Sequence, residues 1–195
     1  MAKFYAVRQG RKPGIYTSWD ECRREVTGYG GAEFKSFPNR AAAEEYMTAT
    51  EEKAPDPDGT CAYVDGSYNI KTKEYSYGAV IFHNGETHCF SEKFSDEENA
   101  AMRNVAGEIN GAMCAMRFCV ENGADSLDLY YDYAGIEKWC TGEWKTNKSG
   151  TIAYKAYFDS ISDILSVRFH KVKGHSGDKY NDMADRLAKD ILGIA

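Results

Sequence analysis

Alternating apolar and polar positions after residue 59 are typical of β-strands. The stretch TCAYVDGSY predicts a strand that ends at Asp65, and DSLDLYYD predicts another that ends at Asp132. Between them, YSYGAVIFHNGETHCFSEKF predicts a hairpin that turns at its Asn-Gly pair. The later stretch LSVRFHKVKG predicts one more strand. The alternation therefore predicts five strands in this part of the chain.

Apolar residues at helical spacing occupy the segments between these strands. Residues 98–122 predict a helix whose apolar stripe consists of Val105, Ile109, Ala112, Met113, Met116 and Val120. Shorter helices are predicted near 134–144 and 151–164. A last helix should bury Tyr180, Ala184, Leu187, Ala188 and Ile191. Three strands, a helix and then alternating strands and helices predict a mixed α/β sheet domain.

Residues 1–48, which we call the head, have a pattern of their own. Two short strands flank the Gly/Pro turn of KFYAVRQGRKPGIYTS, and Ser18 and Glu21 have the spacing of a helix capping box. AEFKSF alternates as a strand, and Asn39 can cap a final helix that reaches Met47. The order β-β-α-β-α predicts a small α+β domain.

A change in composition separates the head from the rest. The stretch TATEEKAPDPDG has two prolines, clustered acids and no periodicity, so we interpret residues 49–59 as a linker and residues 60–195, the body, as a second domain. The net charge of −6 divides into +2 for the head, −3 for the linker and −5 for the body. A basic head on an acidic body suggests that the two have separate functions.

Composition also limits where the protein works. Hydrophobic residues make up 43% of the chain, enough for a packed core. No apolar run is long enough to span a bilayer, and the N-terminus lacks the apolar segment of a signal peptide, so we expect a cytoplasmic protein. The six cysteines include no C-x-x-C pair, which favours reduced thiols in the core over zinc ligands or disulfides.

Four acidic residues lie either at the end of a predicted strand or beside the apolar face of a predicted helix. Asp65 and Asp132 end strands, and sites in open α/β sheets form at the carboxyl ends of strands. Glu108 and Asp185 border the apolar faces of their helices. Carboxylates directed at one place repel each other unless cations lie between them, and Mg²⁺ prefers oxygen ligands. The alternative is that each is an ordinary cap or surface acid.

The motifs YVDGSY, RNVAGE, YYDYAGIEKW and VKGHSG…NDMADRLA occur in this order and resemble those of the type 1 ribonuclease H domain. The resemblance covers residues 60–195 and implies a ribonuclease H-like mixed five-stranded sheet flanked by helices. It also implies an endoribonuclease that hydrolyses the RNA strand of RNA/DNA hybrids and leaves 5′-phosphate and 3′-hydroxyl ends. A non-catalytic hybrid-binding protein and another nuclease or transposase-like enzyme on the same fold are the alternatives.

The resemblance also implies a catalytic site. By motif, two Mg²⁺ ions, with Mn²⁺ as an alternative, would be held by Asp65, Glu108, Asp132 and Asp185. It implies that His175, ten residues before Asp185, assists proton transfer or product release. The ordinary pKa of histidine suits proton transfer near neutral pH. Asp182 could support His175 or only cap its helix.

Substrate contacts in the body are expected near the same motifs. By family analogy, Gly66 and Ser67 would contact the 2′-hydroxyls that distinguish RNA from DNA. We expect Asn104 to form hydrogen bonds in the minor groove, on a bare helix face created by Gly107 and Gly111. Tight packing of the two glycines against a neighbouring element is the alternative.

The head resembles the hybrid-binding domain found ahead of some ribonucleases H and in caulimovirus viroplasmin-like proteins, on the stretch FYAVRQGRKPGIYTSWDECRREVTGYGGAEFKSF. The resemblance implies that Trp19 and Phe34 lie against the DNA sugar backbone, with Lys35, Arg11 and Lys12 near phosphates. Packing of both aromatic side chains in the core is the alternative. A tethered weak binder raises the local substrate concentration. We expect a monomer with no membrane and no obligate protein partner.

Overall fold

The computed structural model describes residues 3–30, 32–48, 59–172 and 178–194. The chain divides into two compact units, with the division between Ala54 and Pro55. The described residues are 3–30 and 32–48 in the head, and 59–172 and 178–194 in the second unit. Residues 49–58 of the predicted linker lie outside the described residues.

The head is a three-stranded antiparallel sheet with two helices. Its strands lie in the order β2-β1-β3, and its elements are β1 (Phe4–Gln9), β2 (Gly14–Tyr16), α1 (Trp19–Val26), β3 (Glu33–Phe37) and α2 (Arg40–Thr48). The Ser18 hydroxyl accepts the N–H of Glu21 at 3.2 Å, and Asn39 Oδ1 accepts the N–H of Ala42 at 2.8 Å. Both predicted helix caps are thus confirmed. Local hydrogen bonding fixes where the two helices begin.

The body is a mixed sheet with strand order β6-β5-β4-β7-β8. Neighbours β4, β5 and β6 pair antiparallel, whereas β4–β7 and β7–β8 pair parallel. The predicted five-stranded mixed sheet is confirmed. Within the described ranges, no helix is long and apolar enough to cross a bilayer. The elements are β4 (Cys61–Tyr68), β5 (Tyr75–His83), β6 (Glu86–Phe94), α3 (Glu97–Ala100), α4 (Asn104–Glu121), β7 (Ser126–Tyr131), α5 (Gly135–Cys140), α6 (Ser149–Ile161), β8 (Ser166–Lys171) and α7 (Lys179–Ile191).

Strand β4 is the centre of the body and is buried on both faces. Successive side chains of a strand point to opposite faces. Ala62 and Val64 accordingly pack in the larger core, which includes Ile109 of α4. Tyr63 packs on the other face with Ala184 of α7. The two helices therefore hold the central strand between them.

The predicted helix over 98–122 is wrong as a single helix. Helix α3 ends at Ala100 and α4 begins at Asn104. Between them Arg103 has φ of 55° and ψ of −133°, a left-handed backbone that a non-glycine residue rarely adopts. The buried side chain of Met102 anchors this break. The sequence has no glycine or proline at this break, so the helical spacing of apolar residues continues across it.

The prediction that a strand ends at Asp65 is also wrong. Strand β4 continues to Tyr68 because it still pairs with β5. Its parallel pairing with β7 stops earlier, at Tyr63 and Tyr130. Asp65 and Asp132 each lie two residues beyond this last pair. The two aspartates therefore stand where the strands lose their pairing, which opens a gap between them.

The hypothesis that Gly107 and Gly111 form a bare face for a ligand is wrong. Both glycines are buried. A Cβ atom at Gly107 would lie 1.8 Å from the carbonyl oxygen of Ser76, and one at Gly111 would lie 3.2 Å from Cβ of Val64. The packing alternative is correct, because the glycines let α4 lie directly on β4 and β5.

The six cysteines are free, as expected, but not all lie in the core. Cys22, Cys61, Cys119 and Cys140 are buried, and Cys114 is half-buried. Cys89 is exposed on β6, at the edge of the sheet, so the expectation of a core position is wrong for this residue.

We expect Gly107→Ala to destabilise the body by about 3 kcal/mol or more, because the new methyl group meets backbone that cannot rotate away. Urea denaturation followed by tryptophan fluorescence would measure the change. Glu121→Ala, at an exposed position of the same helix, is the control and should change stability by less than about 0.5 kcal/mol. Equal stability of the two variants would contradict the packing role.

Candidate metal centre

Asp65 is the best-buried aspartate of the site, with 9% of its surface exposed. Its Oδ1 accepts the N–H of Gly66 at 2.7 Å. Gly66 itself has no room for a side chain, because a Cβ atom would lie 2.0 Å from the carbonyl oxygen of Asn104. The start of α4 therefore sits directly on β4, next to the Asp65 carboxylate.

Glu108 lies in the second turn of α4 and is 1% exposed. Its Oε1 accepts the N–H groups of Asp132 and Tyr133, each at 3.1 Å. These bonds connect α4 to the chain just after β7. Glu108 therefore fixes the backbone that carries Asp132 while it lies buried next to the apolar face of its helix.

Asp185 comes from α7 and is paired with a lysine on the same helix. Its Oδ2 lies 2.7 Å from Nζ of Lys189. Both side chains are partly buried, with 22% of Asp185 and 32% of Lys189 exposed. A cation of the chain itself thus contacts one of the four predicted metal ligands.

Three of the four predicted acids line one cleft of about 410 Å³, which we call the carboxylate cleft. Glu108 lies behind its wall. The predicted substrate contacts Gly66, Ser67 and Asn104 also line it.

Sequence reasoning missed two basic residues of the cleft, Lys189 and Arg103. The four-residue spacing of Asp185 and Lys189 on a helix is nevertheless a signal for an ion pair. The lining is Asp65, Gly66, Ser67, Tyr68, Ile70, Arg103, Asn104, Asp132, Asp185 and Lys189.

Burial and the repulsion of neighbouring acids disfavour the charged forms of Asp65 and Glu108. Burial, followed by the charge of Asp132, raises the pKa of Asp65 to about 7. The charge of Lys189 acts in the opposite direction. Burial, with Asp132 and Asp65, raises the pKa of Glu108 well above its usual range, although the two backbone N–H groups oppose this. The cluster is therefore short of positive charge.

The donor set suits a hard divalent cation, because all four predicted ligands are carboxylates. Among the described residues, however, no three His, Cys, Asp or Glu side chains are arranged, as they stand, to hold a metal ion. In this arrangement Asp65 accepts the N–H of Gly66, and Asp185 is bonded to Nζ of Lys189.

His175 and its flanking glycines Gly174 and Gly177 lie outside the described residues. The described helix α7 begins directly after them, with Asp178 as its N-cap; Oδ1 of Asp178 accepts the N–H groups of Tyr180 and Asn181. Asp182 is exposed in the first turn of this helix. An acid in that place suits the helix dipole.

In the head, Trp19 and Phe34 form an exposed aromatic pair. Their ring centroids are 5.7 Å apart, and 43% of Trp19 and 42% of Phe34 are exposed. The alternative of core packing is therefore wrong. Tyr5 extends the pair, with its ring centroid 5.6 Å from that of Trp19. The head thus presents a continuous aromatic surface.

The three basic residues that were predicted to lie near phosphates do not all lie on the face that carries this aromatic pair. Lys35 follows Phe34 on β3, so its side chain leaves the opposite face of the sheet. Arg11 donates from Nη1 to the carbonyl oxygens of Arg24 and Thr27, at 2.8 and 2.7 Å, and so closes the end of α1. Lys12 is exposed. The structure therefore does not bring Lys35 onto the face that carries the aromatic pair.

The body and the head match two separate family models. Residues 57–192, more than half of the chain, match the model described as RNase H. The chain belongs to the RNase H family. Residues 3–47 match the model described as the Ribonuclease H1 N-terminal domain. Both resemblances inferred from the motifs are confirmed, and the chain is an RNase H enzyme with this N-terminal domain.

Two relatives in the RNase H family match almost the whole of this chain. The Ribonuclease H of Schizosaccharomyces pombe is 25% identical, over 95% of this chain and 96% of that protein. The Ribonuclease H1 of Rattus norvegicus is 23% identical, over 97% of this chain and 89% of that protein. The solved structure of RNase H1 from Halobacterium salinarum NRC-1 matches with a TM-score of 0.54 at 20% identity, over 69% of this chain and 97% of that chain. The structural likeness shows a shared fold.

We expect the metal-free protein to lose stability as the pH rises from about 4 to about 7, because folded Asp65 holds its proton up to a pKa of about 7 while the unfolded chain releases it near 3.8. In Asp65→Asn, the free energy of unfolding should fall by roughly 2–4 kcal/mol less over this pH range than in the wild type. Urea denaturation in EDTA at several pH values would measure it. Asp163→Asn, at an exposed position, is the control. Parallel pH profiles for the wild type and Asp65→Asn would contradict the raised pKa.

Proposed function

We propose that the chain is a magnesium-dependent endoribonuclease that hydrolyses the RNA strand of RNA/DNA hybrids. The observation that carries this proposal is the convergence of Asp65, Asp132 and Asp185 on one cleft, with Glu108 bonded to the backbone behind it. Membership of the RNase H family supports the same activity. A pure binding protein would have no use for buried carboxylates that repel each other.

In this proposal the four carboxylates hold two Mg²⁺ ions, for which Mn²⁺ could substitute. Bound divalent cations supply charge neutralisation at the phosphate and a water of lowered pKa. Asp65, Asp132 and Asp185, which line the cleft, would provide oxygen ligands. Glu108 keeps the chain at Asp132 in place through its bonds to two N–H groups. Attack of water on phosphorus, with the 3′-oxygen leaving, gives 5′-phosphate and 3′-hydroxyl ends.

The residues around the acids would select the substrate. Gly66, Ser67 and Asn104 line the cleft beside Asp65, where they can reach the 2′-hydroxyls and base edges of a minor groove. His175 remains, on sequence grounds alone, the candidate for carrying a proton to or from the reacting phosphate. A role for Asp182 beside it is equally a proposal.

The head would bind the same hybrid by contacting its DNA strand. Trp19 and Phe34 present an apolar surface against which deoxyribose can pack. Lys12 and Arg11 supply positive charge in the same unit, and Lys35 would have to reach around the edge strand β3. We accordingly propose a hybrid-binding domain (1–48), a linker (49–59) and a catalytic domain (60–195).

We expect Asp132→Asn to reduce cleavage of an RNA/DNA hybrid by more than about 100-fold, because one charged ligand is lost from the site. Gel assays with end-labelled hybrid, RNA duplex and DNA duplex, each with Mg²⁺ or EDTA, would test this. Asp125→Asn, an exposed aspartate just before β7, is the control. Hybrid binding without cutting would make the chain a binding protein, and cutting of every duplex would favour another nuclease.

We expect Trp19→Ala to raise KM for the hybrid roughly 5- to 100-fold and to leave kcat unchanged, because aromatic contacts with nucleic acid contribute about 1–3 kcal/mol to binding only. Steady-state kinetics at low salt would measure both constants. Tyr29→Ala is the matched control, since Tyr29 is equally exposed in the head, at 42%. A fall in kcat with KM constant would instead show that the head acts on the chemical step.

A further inference from the structure

We propose that Lys189 is a resident counter-ion of the carboxylate cleft, which holds Asp185 when no divalent cation is bound and sets how tightly that cation binds. The inference rests on the metal site of the proposed function and adds a regulator of its affinity. Lys189 is a positioning residue in this role, because it acts through Asp185 and not on the substrate.

The first support is the place of the ammonium group. Nζ of Lys189 lies 2.7 Å from Oδ2 of Asp185, and Lys189 lines the same cleft as Asp65 and Asp132. Both partners are partly buried, so solvent screens their attraction less than that of a surface pair. The positive charge of Lys189 also lowers the pKa of Asp65 against the effect of burial. The ammonium therefore acts on two of the proposed ligands.

The surroundings of the pair, and not its spacing, distinguish it from other ion pairs of the chain. Four-residue spacing on a helix also brings Arg40 within 2.8 Å of Glu44, where both side chains are more than half exposed. On α7, Arg186 and Asp190 have the same spacing, lie 3.7 Å apart and are 82% and 67% exposed. Exposed pairs of this kind contribute little. Lys189 and Asp185 are instead partly buried and line the carboxylate cleft.

The third support is that the acids, as they stand, are not arranged to share an ion among the described residues. A divalent cation that binds Asp185 through the lone pair now bonded to Lys189 displaces Nζ, whereas one that binds through another lone pair of the carboxylate leaves that bond in place. In both cases the ammonium stays nearby as a repelling charge and weakens cation binding. In return, Lys189 offsets the repulsion among the acids in the cation-free protein.

The test is calorimetric titration of Mg²⁺ into the full chain without nucleic acid, for the wild type, Lys189→Met and Arg186→Met. We expect Lys189→Met to bind Mg²⁺ roughly 5- to 30-fold more tightly than the wild type, and Arg186→Met to bind as the wild type does. In EDTA, Lys189→Met should melt at a lower temperature than the wild type, and saturating Mg²⁺ should narrow that difference. Lys189→Arg, which keeps the charge, should retain the wild-type Mg²⁺ affinity.

Unchanged or weaker Mg²⁺ binding by Lys189→Met would overturn the proposal. A higher KM for the hybrid with unchanged Mg²⁺ affinity would do so too, because Lys189 would then contact a phosphate. If Lys189→Met does not fold, Lys189→Gln, which keeps a polar side chain but no charge, provides the same comparison. Failure of the proposed function looks different: the wild type would bind Mg²⁺ but cut no hybrid. If neither the wild type nor Lys189→Met takes up Mg²⁺, the counter-ion role is wrong whatever the cleavage assay gives.

Discussion

Repulsion between carboxylates in a poorly solvated cleft is the constraint on which the body depends. The central strand places Asp65 almost out of water, and α4 places Glu108 fully inside. Neither charge would be tolerated without donors, because an unpaired buried charge is very costly. The backbone N–H groups of Gly66, Asp132 and Tyr133 donate to these two carboxylates. The ammonium of Lys189 is bonded to Asp185 and acts on Asp65 through its charge. The carboxylates still carry more negative charge than these donors offset, and a divalent cation can neutralise the excess.

The close approach of α4 to the sheet makes this arrangement possible. Gly107 contacts the backbone at Ser76, and the neighbouring Glu108 then reaches the N–H groups beyond β7. A helix held farther from the sheet would leave Glu108 short of these donors. The gap between β4 and β7 past Tyr63 lets Asp65 and Asp132 face the same space. The contact of α4 with the sheet therefore provides both the packing of the helix and the position of Glu108 beside its hydrogen-bond donors.

Features that depend on neighbours in sequence were predictable, whereas those that depend on distant neighbours were not. The caps at Ser18 and Asn39 and the Asn-Gly hairpin follow from local chemistry, and each is present. The acids of the cleft followed from motif resemblance. The break at Arg103 and the burial of Gly107 depend on what packs against them, which one sequence does not reveal. The ion pair of Lys189 could have been found from its spacing on α7.

The glycine contact between α4 and the sheet also limits how this domain can diverge over time. Gly66 and Gly107 face each other so closely that a side chain at either one would collide with the main chain opposite. Neither position can drift to a larger residue, and no compensating change of another side chain can relieve a collision with backbone. Two residues without side chains are thus as immutable as the acids beside them, although neither need take part in chemistry.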